Sequence, residues 1–315
     1  MRPAAHVSSL GLPSHVPASL LPGVGSPTTL VEGTPAWRAN VDFHACCQLI
    51  APPGPAMHGP ETCYLGSLSV LINNQMAVRE GDLLMGAGPP NQVMLGCATV
   101  LIGDVGGGLA DAANMAEYSA DFKALASVWG TLTPAQRQAE LGRIIHKQLA
   151  KSGVPAVGVN PANIAPASGQ LDFPNWNLDI DQGVLNSPTL TPNQQSDLGN
   201  TIYHEGRHAE QWYAAAQSQA AAPGATGPGV ATGMGLPAHV GNAAAANPLP
   251  ANSSPQAVLG QSVHQSAYGS GAADRNALLA TVLANPNDPT SYARYQALPE
   301  EQDAFRTGDA TGGCP

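Results

Sequence analysis

At 315 residues the chain is long enough for two domains with cores of their own. A net charge of −10, with only 12 Lys and Arg in the whole chain, weighs against a nucleic-acid groove or an anionic membrane surface, because both reward clustered cations. The 35 Gly and 29 Pro call for many turns and short strands in at least one part of the chain.

The five Cys form no evident disulfide framework, since the count is odd and Cys46 and Cys47 are adjacent. The N-terminus, Met-Arg-Pro-Ala-Ala-His, lacks the apolar core of a cleavable secretory signal, and no run approaches 18 apolar residues. The expectation is a chain without a membrane span that leaves the cell, if it does, by a route needing no such signal.

Three segments of the N-terminal third repeat one another: Gly25-Ser-Pro-Thr-Thr-Leu-Val31, Gly66-Ser-Leu-Ser-Val-Leu-Ile72 and Gly96-Cys-Ala-Thr-Val-Leu-Ile102. The first two continue into Glu32-Gly33 and Asn73-Asn74, then a second short apolar stretch, then a closing Asp42 or Asp82. This spacing predicts repeated β-hairpins with two-residue turns. Units so short cannot bury a face alone, so three of them must pack together in a pseudo-threefold arrangement.

These segments resemble the repeating core of the PAAR family, over roughly residues 1–104. The resemblance implies an all-β cone of short hairpin repeats that caps a trimeric type VI secretion spike, with three His and one Cys around zinc at its apex. His15, His44 and His58, each at the entry or exit of a repeat, are the candidate imidazoles. Where the Cys is expected, the chain reads Leu83-Leu-Met-Gly-Ala-Gly-Pro-Pro90, so Cys63 stands as fourth ligand with Cys46 as alternative.

Val105-Gly-Gly-Gly-Leu109 reads as a hinge, within a linker over 105–117, and residues 118–315 as a mainly α (α+β) domain. Helices are expected from Asn114 to Lys151, with Thr133-Pro134 as a helix start, and again over the last forty residues. Residues 221–255 read as a long loop around one short helix near Leu236–Ala246.

The strongest motif is Tyr203-His-Glu-Gly-Arg-His-Ala-Glu-Gln-Trp-Tyr213. At helical spacing His204 and His208 share one face, so they can chelate one Zn²⁺, with Glu205 beside them as general base toward a bound water. Ser196-Asp197 offers a cap for this helix, and Arg207 an ion-pair partner for Asp303. Trp212 and Tyr213 read as core.

The motif is similar to the H-E-x-x-H helix of zincin metallopeptidases. The metzincin continuation fails, because Gln211 stands where Gly belongs and Ala214 where His belongs. A downstream Glu is the other solution, and Glu301, three before Ala304, resembles the Glu-x-x-Ala helices of several zincin families. Glu300, Asp303, His264 and His239 are the alternatives. Zincins also carry an edge strand over the motif helix; Asp172–Ile180, with Trp176, Leu178 and Ile180 alternating, is the candidate.

The resemblances together imply a type VI spike-tip effector with two Zn²⁺ ions. Its payload is expected to act on a target-cell protein or on peptidoglycan, and to be held in check by a cognate immunity protein. A structural spike tip or cargo adaptor without catalysis, and a peptidoglycan amidase-type hydrolase, remain open beside the peptidase.

Overall fold

The computed structural model describes residues 2–7, 11–12, 24–45, 60–63, 66–67, 70–85, 91–102, 108–165, 167–251, 254–285, 288–309 and 311. Small β-hairpin sheets make up the N-terminal part and helices dominate the C-terminal part. By contact the chain divides into Met1–Val105 with Gln265–Gln302, and Gly106–His264 with Asp303–Pro315.

The first unit contains β1 (Arg2–Ala4), β2 (Gly11–Leu12), β3 (Leu30–Val31), β4 (Thr34–Pro35), β5 (Phe43–Ala45), β6 (Pro60–Cys63), β7 (Leu71–Ile72), β8 (Gln75–Met76), β9 (Leu83–Met85), β10 (Asn91–Val93) and β11 (Cys97–Ile102). β3–β4 and β7–β8 are the two expected hairpins. Their turn residues Glu32, Gly33, Asn73 and Asn74 all have positive φ, as the two-residue turn matching strand twist requires.

The third repeat is completed differently. β11 pairs antiparallel with β1, so the N-terminal strand supplies the arm that the chain does not provide downstream. The three repeats then close through two rings of backbone hydrogen bonds. In one, Ala5 N–H donates to Val78 O, Val78 N–H to Trp37 O and Trp37 N–H to Ala5 O, at 2.9, 3.0 and 3.1 Å. In the other, Val7, Ala39 and Glu80 donate to Pro35, Met76 and Pro3.

Ala4, Ala36 and Ala77 pack with Val31, Ile72, Ile102 and Cys97 in one buried core, each set drawn from all three repeats. Gly66 and Gly96 are glycine for lack of room. A Cβ there would stand 2.5 Å from the Ala77 carbonyl oxygen and 2.6 Å from that of Pro3. The remaining strands form a second, antiparallel sheet in the order β2-β10-β9-β6-β5.

The second unit opens within the stretch expected to be linker. A 3₁₀ turn at Gly108–Ala110 buries Leu109 completely, and α1 (Ala112–Val128) starts on an Asp111 cap. α2 (Pro134–Lys151) begins at the expected Thr133 with a full capping box. Strands β12 (Gly158–Ala162), β13 (Gly169–Asp172) and β14 (Asn177–Asp181) form a sheet in the order β12-β14-β13, followed by α3 (Gln182–Asn186).

The long helix α4 (Pro192–Ala220) comes next. The stretch expected as a loop around one short helix carries a further helix, α5 (Gly227–Met234), before the expected one, α6 (Ala238–Ala246), and the two pack on each other and on α4. Runs of Ala and Gly hide helical periodicity in sequence because they add so little contrast between faces. The chain closes with α7 (Pro255–Ala267), α8 (Ala272–Ala284), α9 (Pro289–Gln296) and α10 (Pro299–Asp309).

Candidate metal centre

The site is built on α4. Thr191 caps the helix, accepting from the Gln194 N–H, and Pro192 occupies the first turn. The start therefore precedes the Ser196-Asp197 pair, which lies inside the helix. At 29 residues α4 is about 44 Å long.

Its middle is buried and bolted in place. The Tyr203 hydroxyl donates to Leu109 O at 2.6 Å, and that of Tyr118 donates to Gly199 O at 2.7 Å. Gly206 leaves space for Leu109 and Ile145 where any Cβ would collide with Ile145.

On this fixed helix His204 and His208 stand one turn apart, with ring centroids 4.7 Å from each other and planes at 85°. Phe305 packs edge-on against His204 at 4.6 Å. Phe173 and Trp212, stacked on one another at 4.2 Å, flank His208. Apolar rings on these sides restrict both imidazoles to few rotamers.

The third candidate ligand arrives on α10. The contact division passes through this helix between Gln302 and Asp303, and Asp303 anchors the following turn on α4. Asp303 Oδ2 accepts from Arg207 Nε at 2.6 Å and from Gln211 Nε2 at 2.8 Å. Burial alone would raise the Asp303 pKa, but the charges of Arg207 and Arg306, with the two hydrogen bonds, hold its carboxyl below the usual range. The Arg207–Asp303 pair expected from the sequence is thus present.

Of the three acids at 300, 301 and 303, two are engaged elsewhere: Asp303 in this pair, and Glu300 with Arg275 Nε at 2.6 Å. Glu301, buried to 4% exposure, is the one grouped with the histidines. One ligand atom from each of His204, His208 and Glu301 lies within 4.8 Å of the others. His239 is exposed and His264 half-buried, and neither joins this cluster.

Two imidazoles and one carboxylate suit a divalent cation, and three protein ligands leave a fourth position open, as catalytic zinc sites do. Zinc bonds of about 2.1 Å bring tetrahedral neighbours to roughly 3.4 Å. The donor atoms, two imidazole nitrogens and a carboxylate oxygen within 4.8 Å of one another, are of the kind and number that the ion takes.

Glu205 lies one residue beyond His204 and is held by the sheet. Its Oε2 accepts from the backbone N–H of Leu171 at 2.9 Å. β13 runs alongside α4: a Cβ on Gly169 would meet Thr201 at 3.0 Å, and Leu171 bonds Glu205. Two strand residues advance about 6.8 Å and four helix residues about 6.0 Å, so the two elements keep step from Thr201 to Glu205.

The edge strand beside the motif is therefore Gly169–Asp172. The stretch Asp172–Ile180 is instead a turn followed by the central strand β14. Leu178 and Ile180 alternate inward as expected, but Trp176 sits in the turn with φ of 58°. Trp212 and Tyr213 are core, each 2% exposed.

The candidate tip ligands are reached only in part. His15, His58 and the alternative Cys46 lie outside the described residues, as does the side chain of His44, whose backbone pairs with Glu61 in β5. Cys63 ends β6 and is buried. Among the described residues, the His204 cluster is the one group of three or more ligand-type side chains close enough to hold an ion.

Two contributors escaped the sequence: Gln211, which bonds His208 Nδ1 at 2.8 Å, and the Leu171 N–H. The 208/211 spacing puts Gln211 on the histidine face, which is the signal the sequence holds for it. Comparison with protein-family models, curated proteins and solved structures finds no match to this chain.

Proposed function

We propose that the chain is a spike-tip effector: a PAAR-type tip in the N-terminal third, carrying a zinc-dependent amide hydrolase to a target cell through the type VI system. The observation that carries the hydrolase is the convergence of His204, His208 and Glu301 beside Glu205. Support for the tip is the closed threefold repetition of the N-terminal unit, a shape suited to the end of a trimeric spike.

In this reading His204, His208 and Glu301 would hold Zn²⁺, and the ion would polarise an amide carbonyl and acidify a water. Glu205 is placed to accept a proton from an attacking water and to return it to the leaving amine. The Leu171 N–H keeps the Glu205 carboxylate oriented in the metal-free chain. The histidines, flanked by Phe305, Phe173 and Trp212, face apolar surroundings that exclude competing water on those sides.

Zinc content of the full chain tests the reading. One zinc per chain should be lost on combining His204→Ala, His208→Ala and Glu301→Ala, while Glu205→Gln keeps the metal and loses hydrolysis by about 10²-fold or more. Peptide and peptidoglycan substrates assayed in parallel separate peptidase from cell-wall amidase. Equal zinc in wild type and triple variant would refute the hydrolase and leave a purely structural tip and cargo adaptor.

A further inference from the structure

We infer that Gln211 is a positioning residue for the metal centre, fixing the tautomer of His208, and that Arg207 and Asp303 dictate which way its amide faces. The inference rests on the metal reading proposed above and deepens it.

Donors and acceptors alone fix the orientation of the Gln211 amide. An ionised carboxylate can only accept, and Asp303 Oδ2 already takes the Arg207 Nε–H at 2.6 Å. The group of Gln211 facing that oxygen at 2.8 Å must therefore be its NH₂. The amide oxygen is then turned toward His208, where Oε1 lies 2.8 Å from Nδ1. An amide oxygen cannot donate, so the hydrogen sits on Nδ1, and the neutral ring carries its lone pair on Nε2, the atom a metal needs.

The opposite amide orientation fails twice. It sets the amide oxygen against the Asp303 carboxylate, and it points N–H at Nδ1, which would move the ring hydrogen to Nε2 and abolish ligation there. All four side chains are 4% exposed or less, so water cannot substitute for a missing partner at low cost.

The relay also ties the ligands together. Asp303 lies two residues after Glu301 on α10, so the ion pair that docks this helix also sets the His208 ring. Delivery of the third ligand and preparation of the second are coupled through Arg207.

The test uses the full chain with ¹⁵N-labelled histidine, metal-free, and reads the His208 tautomer from long-range ¹H–¹⁵N correlations, assigned with His208→Ala. The wild type should show hydrogen on Nδ1 and a lone pair on Nε2. In Gln211→Met, of similar length but with no amide, the Nε2–H form should appear, and zinc affinity measured by chelator competition should fall about 10- to 100-fold.

Asp303→Asn places an amide oxygen where Oδ2 accepts from both Arg207 Nε and Gln211 Nε2, so it should keep the tautomer and most of the affinity. Asp303→Leu, of similar size but with no acceptor, should lose both, a difference that a role in packing alone would not produce. An Nε2–H tautomer in the wild type, or tautomer and affinity unchanged in Gln211→Met, would overturn the inference. Wild-type chain with the expected tautomer but no zinc lost in His204→Ala would sink the metal reading instead, and leave the relay as a structural network.

Discussion

Arg207→Met removes the cation that two buried carboxylates share. Arg207 is 2% exposed, and its partners Asp303 and Glu210 are 0% and 4% exposed at the side chain. Breaking a buried pair by removing one partner costs about 3–5 kcal/mol, because the other charge stays desolvated. Asp303 keeps Gln211 and Arg306, and Glu210 keeps the Leu109 N–H and Ser152, so the lower end, about 3 kcal/mol, is expected.

That loss is a large share of the 5–15 kcal/mol typical of a domain. Its pH dependence follows from the sign of the Asp303 shift. In the wild type the carboxyl is held below its ordinary 3.8, so its contribution is present above that pH and is lost only as pH falls through the lower folded value. Without Arg207, burial is the leading influence and raises the group. The variant then takes up a proton on acidification, which relieves the stranded charge.

The penalty should therefore be smaller at pH 5 than at pH 7. Urea unfolding followed by far-UV circular dichroism at both pH values, with a chelator present so that bound metal does not contribute, measures it. A penalty under about 1 kcal/mol at pH 7, or one that grows on acidification, would refute the reasoning.

Gly260→Ala should destabilise although alanine favours helix by about 1 kcal/mol. The new Cβ would stand 2.4 Å from the Ala214 carbonyl oxygen, and backbone cannot step aside, so overpacking of about 1–3 kcal/mol prevails and thermal melting falls. Gly66→Ala and Gly96→Ala occupy equivalent places in the threefold unit and should cost similar amounts by the same assay; a large cost at one alone would contradict the equivalence. Glu117, exposed but bridging Lys151 and then Lys147, has its pKa lowered to about 2, so its ¹³C carboxyl resonance should remain that of the ion at pH 4 and titrate upward in Lys151→Ala.

The repeats and the motif helix were legible because each rests on a local rule. Positive-φ turns at Glu32-Gly33 and Asn73-Asn74 need particular residues, and a helix shows its period over many turns. Closure of the third repeat by β1 was not legible, since pairing of Arg2 with Ile102 bridges nearly a hundred residues and leaves no periodic mark between them. β13 was displaced by one element for a related reason. Trp176 continues the apolar alternation of Leu178 and Ile180, yet it belongs to the turn, and pattern alone cannot say where a strand reverses.

The third ligand shows where sequence and structure divide the work. Pro299-Glu-Glu-Gln-Asp303 offers three carboxylates within four positions, and helical spacing alone cannot assign their partners. The assignment comes from cations that lie far away in the chain: Arg275 takes Glu300 and Arg207 takes Asp303. Each pairing fixes the rotation of α10 about its own axis, since positions 300 and 303 lie on neighbouring turns. Glu301 is the carboxylate of the three whose oxygen lies near His204 and His208. Two ion pairs thus engage the neighbouring carboxylates and leave Glu301 as the one grouped with the histidines, which is why a single acidic helix, read without its arginines, leaves the candidate ligand open.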